Sequence, residues 1–339
     1  MKKLICGTAL LCMAGLAVAA DSVTMYGVLD AGISYNDGAA EGAVTKLESG
    51  MQSGSRLGFK GSEDLGGGMK ALFVLEQGIS IDNGTSSAGR TFGRQAFVGL
   101  SGVPGTLTMG RQYTPLYNAY GVVDPFGNNT AGDIKNIFGK DADFQTRDFR
   151  MDNAVVYMTP ANLGGFNASA AYSFGEQAGD VHAQSQTGFS VGYAGGPLNL
   201  VYAWHEANID QPPVYTPAYR SQFVGGTYDF SVLKLHAAIS QTSESGMHKI
   251  QSYLIGATVP LGKHALVADY IYRENKLLAD ANVAQVALGY NYVISKRTNL
   301  YAVLAHTAND RYSAENTPPD NPQYGKSVQK YQMGIRHVF

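Results

Sequence analysis

Apolar and polar residues alternate one for one along most of this chain, with Gly, Asn, Asp and Pro at the breaks. In the first such segment Val23, Met25 and Leu29 fall on one face, and Thr24 and Asp30 fall on the other. Side chains of a β-strand point alternately to opposite faces, so this period predicts strands joined by turns. After residue 20, no apolar run approaches the ~20 residues that a membrane-spanning helix needs. The chain is therefore predicted to be all-β.

Residues 1–20 have a different texture and predict a secretory signal peptide. The segment MKKLICGTALLCMAGLAVAA has two lysines, then an apolar core, then small residues that suit cleavage after Ala19 or Ala20. Both cysteines of the chain lie in it, so the exported protein cannot rely on disulfides. We predict that this segment is removed and that residues 21–339 form a single domain.

Turn lengths and aromatic content favour a membrane barrel over a water-soluble sandwich, whose strands would also alternate. Short breaks such as SGVPG (101–105) and PLGK (260–263) alternate with long polar ones such as 206–219 and 307–326, as in outer-membrane barrels. The 21 Tyr and 14 Phe residues, against one Trp, suit the aromatic girdles of such a barrel. Strands of ~10 residues would use about half of the exported chain if there were sixteen, whereas eight would leave far too much loop. We predict a transmembrane antiparallel β-barrel of sixteen strands.

The end of the chain predicts the strand that closes this barrel. In YQMGIRHVF every second residue lies on one face, namely Tyr331, Met333, Ile335, His337 and Phe339. A barrel in hydrocarbon has to pair its last strand with its first, because an open edge would leave backbone groups unsatisfied. We therefore predict that this segment closes the barrel and is the signal read by the barrel-assembly machinery.

The longest interruption of the alternation runs from Arg111 to Arg150. It far exceeds the usual loop of ~4 to 6 residues, and its many Tyr and Phe residues argue against disorder. Beyond Arg111 it carries five aspartates and four basic residues. If the flanking strands close into a barrel, the interior is the obvious place for such a loop. We predict that it folds into the lumen, with an ordinary surface loop as the alternative.

The order of several segments is the most specific feature of the sequence. The chain contains SVTMYGVLDAGISY, then SRLGFKGSEDLGGGMKALFVLE, GRQAFVGL followed by GTLTMGRQY, RMDNAVVYMTP, ISKRT and the terminal GIRHVF. In these segments it resembles the Gram-negative general porin family of the beta-proteobacterial type. The resemblance implies a sixteen-stranded barrel in the cell outer membrane, a homotrimer, and a third loop that constricts the pore. His337 stands where many barrels have Tyr, although His suits this branch of the family.

Charged side chains in the narrow part of a water-filled pore act as an electrostatic filter. If Leu57 and Phe59 face lipid, then Arg56 and Lys60 face the lumen, because neighbours along a strand point to opposite sides. A charge turned toward lipid would cost ~2 to 4 kcal/mol, which makes the lumen the sensible side for these basic residues.

Other basic residues extend this predicted wall. Arg150 shares the parity of Ala154 and therefore its face, and the type and context of Arg94 match the basic wall of the family. The sequence leaves the direction of Arg111 open. A solvated face or a loop-anchoring salt bridge is the alternative for each arginine. The predicted constriction joins the wall to two loop acids and comprises Arg56, Lys60, Arg94, Arg111, Arg150, Asp124 and Asp133.

The charge balance excludes some classes of partner. Without the two lysines of the signal, the 25 basic residues become 23 against 27 acidic ones, a formal charge of −4 that gives no indication of nucleic acid. Nothing indicates a cofactor, and the seven histidines lack metal-ligand spacing. The predicted partners are the lipid bilayer, other copies of the chain, inorganic ions and small hydrophilic solutes.

The predicted function is a general diffusion porin with modest anion preference and no enzymatic activity. Salt screens exposed charges beyond ~8 Å, so the basic wall should count for more than the distant acidic loops. One alternative is an outer-membrane hydrolase with Ser, His and an acid at its rim, for which no local motif exists. Another is a substrate-selective channel, whose flux of one solute would saturate.

Overall fold

The computed structural model describes residues 22–38, 42–127, 129–138, 149–208, 218–244, 248–314 and 324–339. The predicted signal peptide and loop residues 139–148 lie outside these ranges. The strands are β1 (Ser22–Asn36), β2 (Val44–Ser49), β3 (Arg56–Gly66), β4 (Met69–Ser80), β5 (Thr85–Ser86), β6 (Gln95–Gly102), β7 (Gly105–Tyr113), β8 (Arg150–Met158), β9 (Phe166–Ser173), β10 (Gln186–Gly195), β11 (Leu198–Ala207), β12 (Tyr219–Asp229), β13 (Lys234–Glu244), β14 (His248–Leu261), β15 (His264–Asn275), β16 (Val283–Val293), β17 (Thr298–Asn309) and β18 (Val328–Val338). The helical segments are α1 (Pro115–Val123) and two 3-10 turns, Ser87–Gly89 and Ile134–Asn136. In the described ranges no helix is both long and apolar enough to cross a membrane.

The strands form one closed antiparallel sheet. Each barrel strand pairs with the next along the chain, and β18 pairs with β1. Both β2 and β3 pair with β1 and form one interrupted barrel strand, while β5 is a two-residue pairing with the end of β4. This leaves the sixteen barrel strands that the sequence predicted. Closure removes the unpaired edges that hydrocarbon would not tolerate.

The two faces of the sheet differ as the alternation predicted. On β12, Val224 is 57% exposed while its neighbour Phe223 is 1% exposed. On β1, Val23 and Met25 are exposed while Asp30 is buried. The exposed apolar face is the outside of the barrel, where lipid would lie, and the other face lines the interior.

The long loop begins with α1, whose start is encoded locally. The Thr114 hydroxyl accepts a hydrogen bond from the Tyr117 N–H at 3.0 Å, and Pro115 occupies the first turn, where its missing N–H costs nothing. The carboxylate of Asp124 accepts from the Phe126 N–H at 3.0 Å just after the helix ends. These contacts stop the helix after nine residues.

The described part of this loop packs on the inner face of β11 to β16. The buried cluster consists of Leu116, Ala119, Tyr120, Val123, Ile134, Ile137, Phe138, Val201, Ala203, Phe223, Ala238, Leu254, Ile271 and Val283. The ring of Tyr120 meets those of Phe223 and Phe138 edge to face, with centroids 4.9 and 6.2 Å apart. Such pairs contribute about 0.5 to 1.5 kcal/mol each beyond their burial. The strand residues of the cluster alternate with exposed ones, so the loop lies on the face opposite lipid.

The last residue continues the closing pair. The Phe339 N–H donates to the Gly27 carbonyl at 3.1 Å, and the Gly27 N–H donates to a carboxylate oxygen of Phe339 at 3.0 Å. The aromatic ring lies over Gly27, where an added Cβ would come within 2.4 Å of Phe339 Cζ. Glycine at position 27 therefore provides the space that the terminal ring occupies.

Candidate pore site

One carboxylate, that of Glu76 on β4, lies at the centre of the basic wall. Arg94 Nε donates to Glu76 Oε1 at 2.8 Å, and Arg56 Nε lies 3.6 Å from Oε2. The Tyr26 hydroxyl donates to the same Oε2 at 3.0 Å. Glu76 is only 4% exposed. Because two guanidinium groups share one carboxylate, this group of side chains keeps a positive charge.

Arg150 approaches this group from the other side of Tyr113. Its guanidinium carbon lies 4.8 Å from the centre of the Tyr113 ring, a cation–π contact. Its Nη2 donates to the Tyr113 hydroxyl at 3.2 Å, and its Nε donates to the Arg94 carbonyl at 3.0 Å. The Tyr113 ring stacks on that of Tyr117 in α1, with centroids 4.6 Å apart. The stack connects the basic wall to the inserted loop.

A β-bulge between β7 and β8 determines the direction of the Arg111 side chain, which the sequence left open. The register shifts between Gly110 and Gln112, so that Asp152 and Asn153 lie opposite the single residue Arg111. Asn153 adopts the left-handed conformation with φ 51°, which Asn tolerates better than most residues. An extra residue reverses the alternation, so parity cannot be extended across this point.

The bulge has opposite consequences for two predicted site residues. Arg111 Nη1 donates to Asp152 Oδ1 at 2.6 Å, and Arg90 Nη1 lies 3.0 and 2.9 Å from the two oxygens of the same carboxylate. Arg111 is thus directed toward an acid. For Arg150, the alternation that placed it on the face of Ala154 does not continue through the bulge. Arg150 instead lies opposite Tyr113 in the strand pair and reaches the wall through that ring.

Two further basic residues, Lys60 and Arg336, lie beside the side chains of this wall. Lys60 Nζ lies 5.2 Å from the centre of the Tyr26 ring. Arg336, on β18, donates from Nε to the Ser53 hydroxyl at 2.8 Å. Ser53 lines a cavity of about 270 Å³ together with Arg56, Glu76, Gln95, Arg94, Tyr113, Tyr117, Gly127 and Asn129. Arg336 therefore stands beside the same space as the predicted wall.

Asp30 holds the segment that brings Ser53 to this cavity. One of its carboxylate oxygens accepts from the backbone N–H groups of Gln52 and Ser53 at 2.7 and 2.5 Å, and the other accepts from the Tyr301 hydroxyl at 2.6 Å. Gly50, with φ 75°, turns the chain inward between β2 and β3. The interruption of this barrel strand is thus a structured feature of the wall.

The loop acids differ from their predicted arrangement opposite the arginines. Asp124 accepts from the Phe126 and Ile134 N–H groups at 3.0 and 3.4 Å. Asp133 accepts from the Lys135 N–H at 2.6 Å and pairs with Lys135 Nζ at 2.9 Å. The two carboxylates are 6% and 3% exposed. The short Asp side chain readily bonds backbone N–H groups just ahead of it, and here that local use shapes the loop.

Known proteins share this sequence pattern and this architecture over most of the chain. The sequence profile of Gram-negative porins matches residues 7–312. The chain belongs to the Gram-negative porin family. It is 34% identical to an outer membrane porin protein of Bordetella pertussis and 35% identical to outer membrane porin protein 32 of Delftia acidovorans, each alignment covering 100% of both chains. The structure of an anion-selective porin from Comamonas acidovorans matches with a TM-score of 0.85 at 32% identity, over 94% of this chain and 100% of that one.

The family, the barrel and the outer-membrane location predicted from the sequence are confirmed. The closed barrel of this porin is a passive diffusion channel through the outer membrane. Among the residues described, no three His, Cys, Asp or Glu side chains come together as a metal site.

Several charged residues at the wall of this porin were not predicted from the sequence. Glu76 ends the stretch ALFVLE, where apolar residues occupy both faces and the alternation gives no direction. Only the cost of placing a carboxylate against lipid could have assigned it to the lumen. The contact of Asp152 with Arg111 and Arg90 depends on the bulge, and no sequence pattern predicts a bulge at this position. Arg336 could have been found from the closing strand, because it lies between the outward residues Ile335 and His337.

Proposed function

We propose that this porin is a general diffusion channel with a modest preference for anions. The observation that carries the proposal is the charge balance at the wall: Arg56 and Arg94 share the carboxylate of Glu76, and Arg150 bonds neutral groups. The structural relative from Comamonas acidovorans is itself named anion-selective. Salt screens distant acidic loops over ~8 Å, so the local excess of positive charge decides the preference.

The narrow part of the pore is assigned to the space between this wall and the inserted loop. Arg56, Lys60, Arg94, Arg111 and Arg150 supply the charge on the wall side. Asp124 and Asp133 contribute by fixing the shape of the loop, through the backbone bonds described above. A passing anion would meet guanidinium groups on one side and aromatic and backbone groups on the other.

The zero-current potential across a bilayer with a KCl gradient tests this proposal. An anion-selective pore gives a potential set by chloride, whose sign is opposite to that set by potassium. The potential should have the chloride sign, and the flux of small sugars should rise linearly with concentration. A potential of the potassium sign would overturn the anion preference, and saturation by one solute would favour a substrate-selective channel.

Replacing Glu76 by Gln should increase the anion preference. The change removes the shared negative charge while keeping a side chain of the same length, whose amide oxygen can still accept the Arg94 hydrogen bond. The measurement is the same zero-current potential, which should move further toward the chloride value. Glu274→Gln is the matched control, because Glu274 pairs with Lys276 outside the lumen, and its potential should equal that of the wild type. A shift toward potassium in Glu76→Gln would contradict the proposed role of the wall.

We propose that residues 1–20 are cleaved, that residues 21–339 form the barrel domain, and that the barrel assembles as a homotrimer. The terminal residues Tyr331, Met333, Ile335, His337 and Phe339 are assigned as the signal for the barrel-assembly machinery. Passage is passive, and no catalytic step is assigned to the protein. Mass spectrometry of the protein extracted from outer membranes would give both the mature N-terminus and the number of subunits.

A further inference from the structure

One barrel strand leaves the sheet for a short stretch and returns to it. β2 ends opposite Ala31 of β1, and β3 begins opposite Val28. Residues 50–55 therefore stand opposite only two residues of β1, Leu29 and Asp30. Six residues cannot fit beside two in a regular sheet, so this stretch projects into the lumen. We call it the inner turn (residues 50–55).

Asp30 forms hydrogen bonds along the whole inner turn. At one end its carbonyl accepts from the Gly50 N–H at 2.7 Å, and at the other end the same carbonyl accepts from the Ser55 hydroxyl at 3.0 Å. Between them, one carboxylate oxygen accepts from the N–H groups of Gln52 and Ser53 at 2.7 and 2.5 Å. Asp30 is 0% exposed, so water cannot replace these bonds unless the turn moves. The conformation of the turn therefore depends on this one residue.

The inner turn contacts segment 129–132 of the inserted loop. Asn129 Nδ2 donates to the Gly50 carbonyl at 3.4 Å. Met51 is 4% exposed, because it packs between the loop and the barrel strands β16 and β17. The buried cluster around Met51 consists of Phe126, Ala131, Ala287, Tyr301, Val303 and Ala305. This part of the loop is thus held by the inner turn, whereas α1 packs on β11 and β12.

The inner turn also contacts the basic wall. The Ser53 hydroxyl accepts from Arg336 Nε at 2.8 Å, and the Gly54 carbonyl accepts from Arg56 Nη1 at 3.3 Å. The turn therefore lies between the loop on one side and two arginines on the other. A displacement of the turn would change both sides of the space that separates them.

We propose that Asp30 is a positioning residue of the pore constriction, which it controls by holding the inner turn against the loop. The proposal rests on the assignment of the narrow part of the pore to the space between the wall and the loop. The second carboxylate oxygen of Asp30 accepts from the Tyr301 hydroxyl on β17 at 2.6 Å. An amide has only one acceptor oxygen, so Asp30→Asn cannot accept both from the turn and from Tyr301. This replacement should release the turn and, with it, loop segment 129–132.

The first test measures how fast a thiol reagent modifies Ala131→Cys in the full porin. Both native cysteines lie in residues 1–20, and Ala131 is 3% exposed, so the new thiol reacts only when the loop segment opens. Loss of a hydrogen bond to a charged group should raise the modification rate at least about tenfold in Asp30→Asn. Asp229→Asn is the matched control, since it makes the same change at an exposed position beside a short turn. It should leave the rate unchanged.

The second test measures the current of single channels. The released loop segment should make the open-channel current of Asp30→Asn noisier than that of the wild type, with steps to larger conductance. A short bifunctional thiol reagent can link Gly54→Cys to Asn129→Cys, because a Cβ at position 54 would lie 3.7 Å from Asn129 Nδ2. The link should return the current of Asp30→Asn to that of the same linked protein with Asp30 intact. It restores the position of the loop but not the carboxylate, so a residue that only stabilised the barrel would not be rescued.

Tyr301→Phe provides a milder second variant, because it removes one hydrogen bond to the carboxylate and keeps those to the turn. It should change both measurements in the same direction by a smaller amount. Modification rates equal to the control in both variants would overturn the proposal, and so would a noisy current that the link does not restore. The zero-current potential separates this proposal from the anion preference. A potential of the potassium sign, with rescue by the link intact, would overturn the preference and support the role of Asp30.

Discussion

Deletion of Phe339 is expected to reduce the amount of folded porin in the outer membrane by on the order of tenfold without reducing its synthesis. The deletion removes two backbone hydrogen bonds to Gly27, of 3.0 and 3.1 Å, at the seam that closes the barrel. Each backbone group left unpaired at this seam costs about 1 to 3 kcal/mol, comparable with the roughly 1.4 kcal/mol of a tenfold change. Heat-modifiable mobility of the outer-membrane fraction, set against total chain by immunoblot, measures the effect.

Two substitutions separate the parts played by the ring and the backbone. Phe339→Ala keeps the seam hydrogen bonds but removes the ring over Gly27, so an assembly defect in this variant would locate the signal in the ring. Phe230→Ala is the control, since this aromatic residue is 53% exposed in a short turn far from the seam. If the chain lacking Phe339 reached the membrane at the normal level as heat-resistant oligomers, the terminal residue would not be the assembly signal.

The architecture could be predicted because alternation is a property of the whole sequence. Every strand has lipid on one side and water on the other. Every second residue of each strand therefore has to be apolar, throughout the barrel. Arg56 shows the rule at work, since it precedes Leu57, which shares the face of the exposed Phe59, and it contacts Glu76 on the inner face. The pairing of the last strand with the first could be predicted for a related reason, because an open sheet edge would leave backbone groups unpaired in hydrocarbon.

The site was less predictable because it lies where the regular pattern ends. A single extra residue at the bulge reversed the parity that had been used for Arg150 and brought Asp152 to Arg111. Asp124 and Asp133 bonded backbone groups of their own loop, a local choice that competes with any distant pairing. Tertiary contacts among the loop, the bulge and the wall determine the directions of these side chains. Such contacts leave no periodic pattern in the sequence.

Replacement of Arg56, Arg94 and Arg150 by Gln is expected to shift the zero-current potential strongly toward the potassium value. A unit charge ~8 Å from a permeating ion contributes about 0.5 kcal/mol in water, which one Debye length of screening reduces to about 0.2 kcal/mol. Three such charges act on anions and cations with opposite sign, so their removal changes the permeability ratio by about 1.1 kcal/mol, or roughly sevenfold. The measurement is the potential of single channels in a KCl gradient.

The single variant Arg150→Gln tests the effect of charge with less risk of misfolding. Arg150 bonds Tyr113 and a backbone carbonyl, so its replacement leaves the partners of Glu76 in place. It should shift the potential in the same direction by a smaller amount. The matched control is Lys263→Gln with Lys296→Gln and Arg297→Gln, which removes three exposed positive charges at the short turns and should change the potential little. An unchanged potential in the triple arginine variant, with folding intact, would place the filter elsewhere in the pore. The loop carboxylates Asp124 and Asp133 would then be the residues to neutralise next.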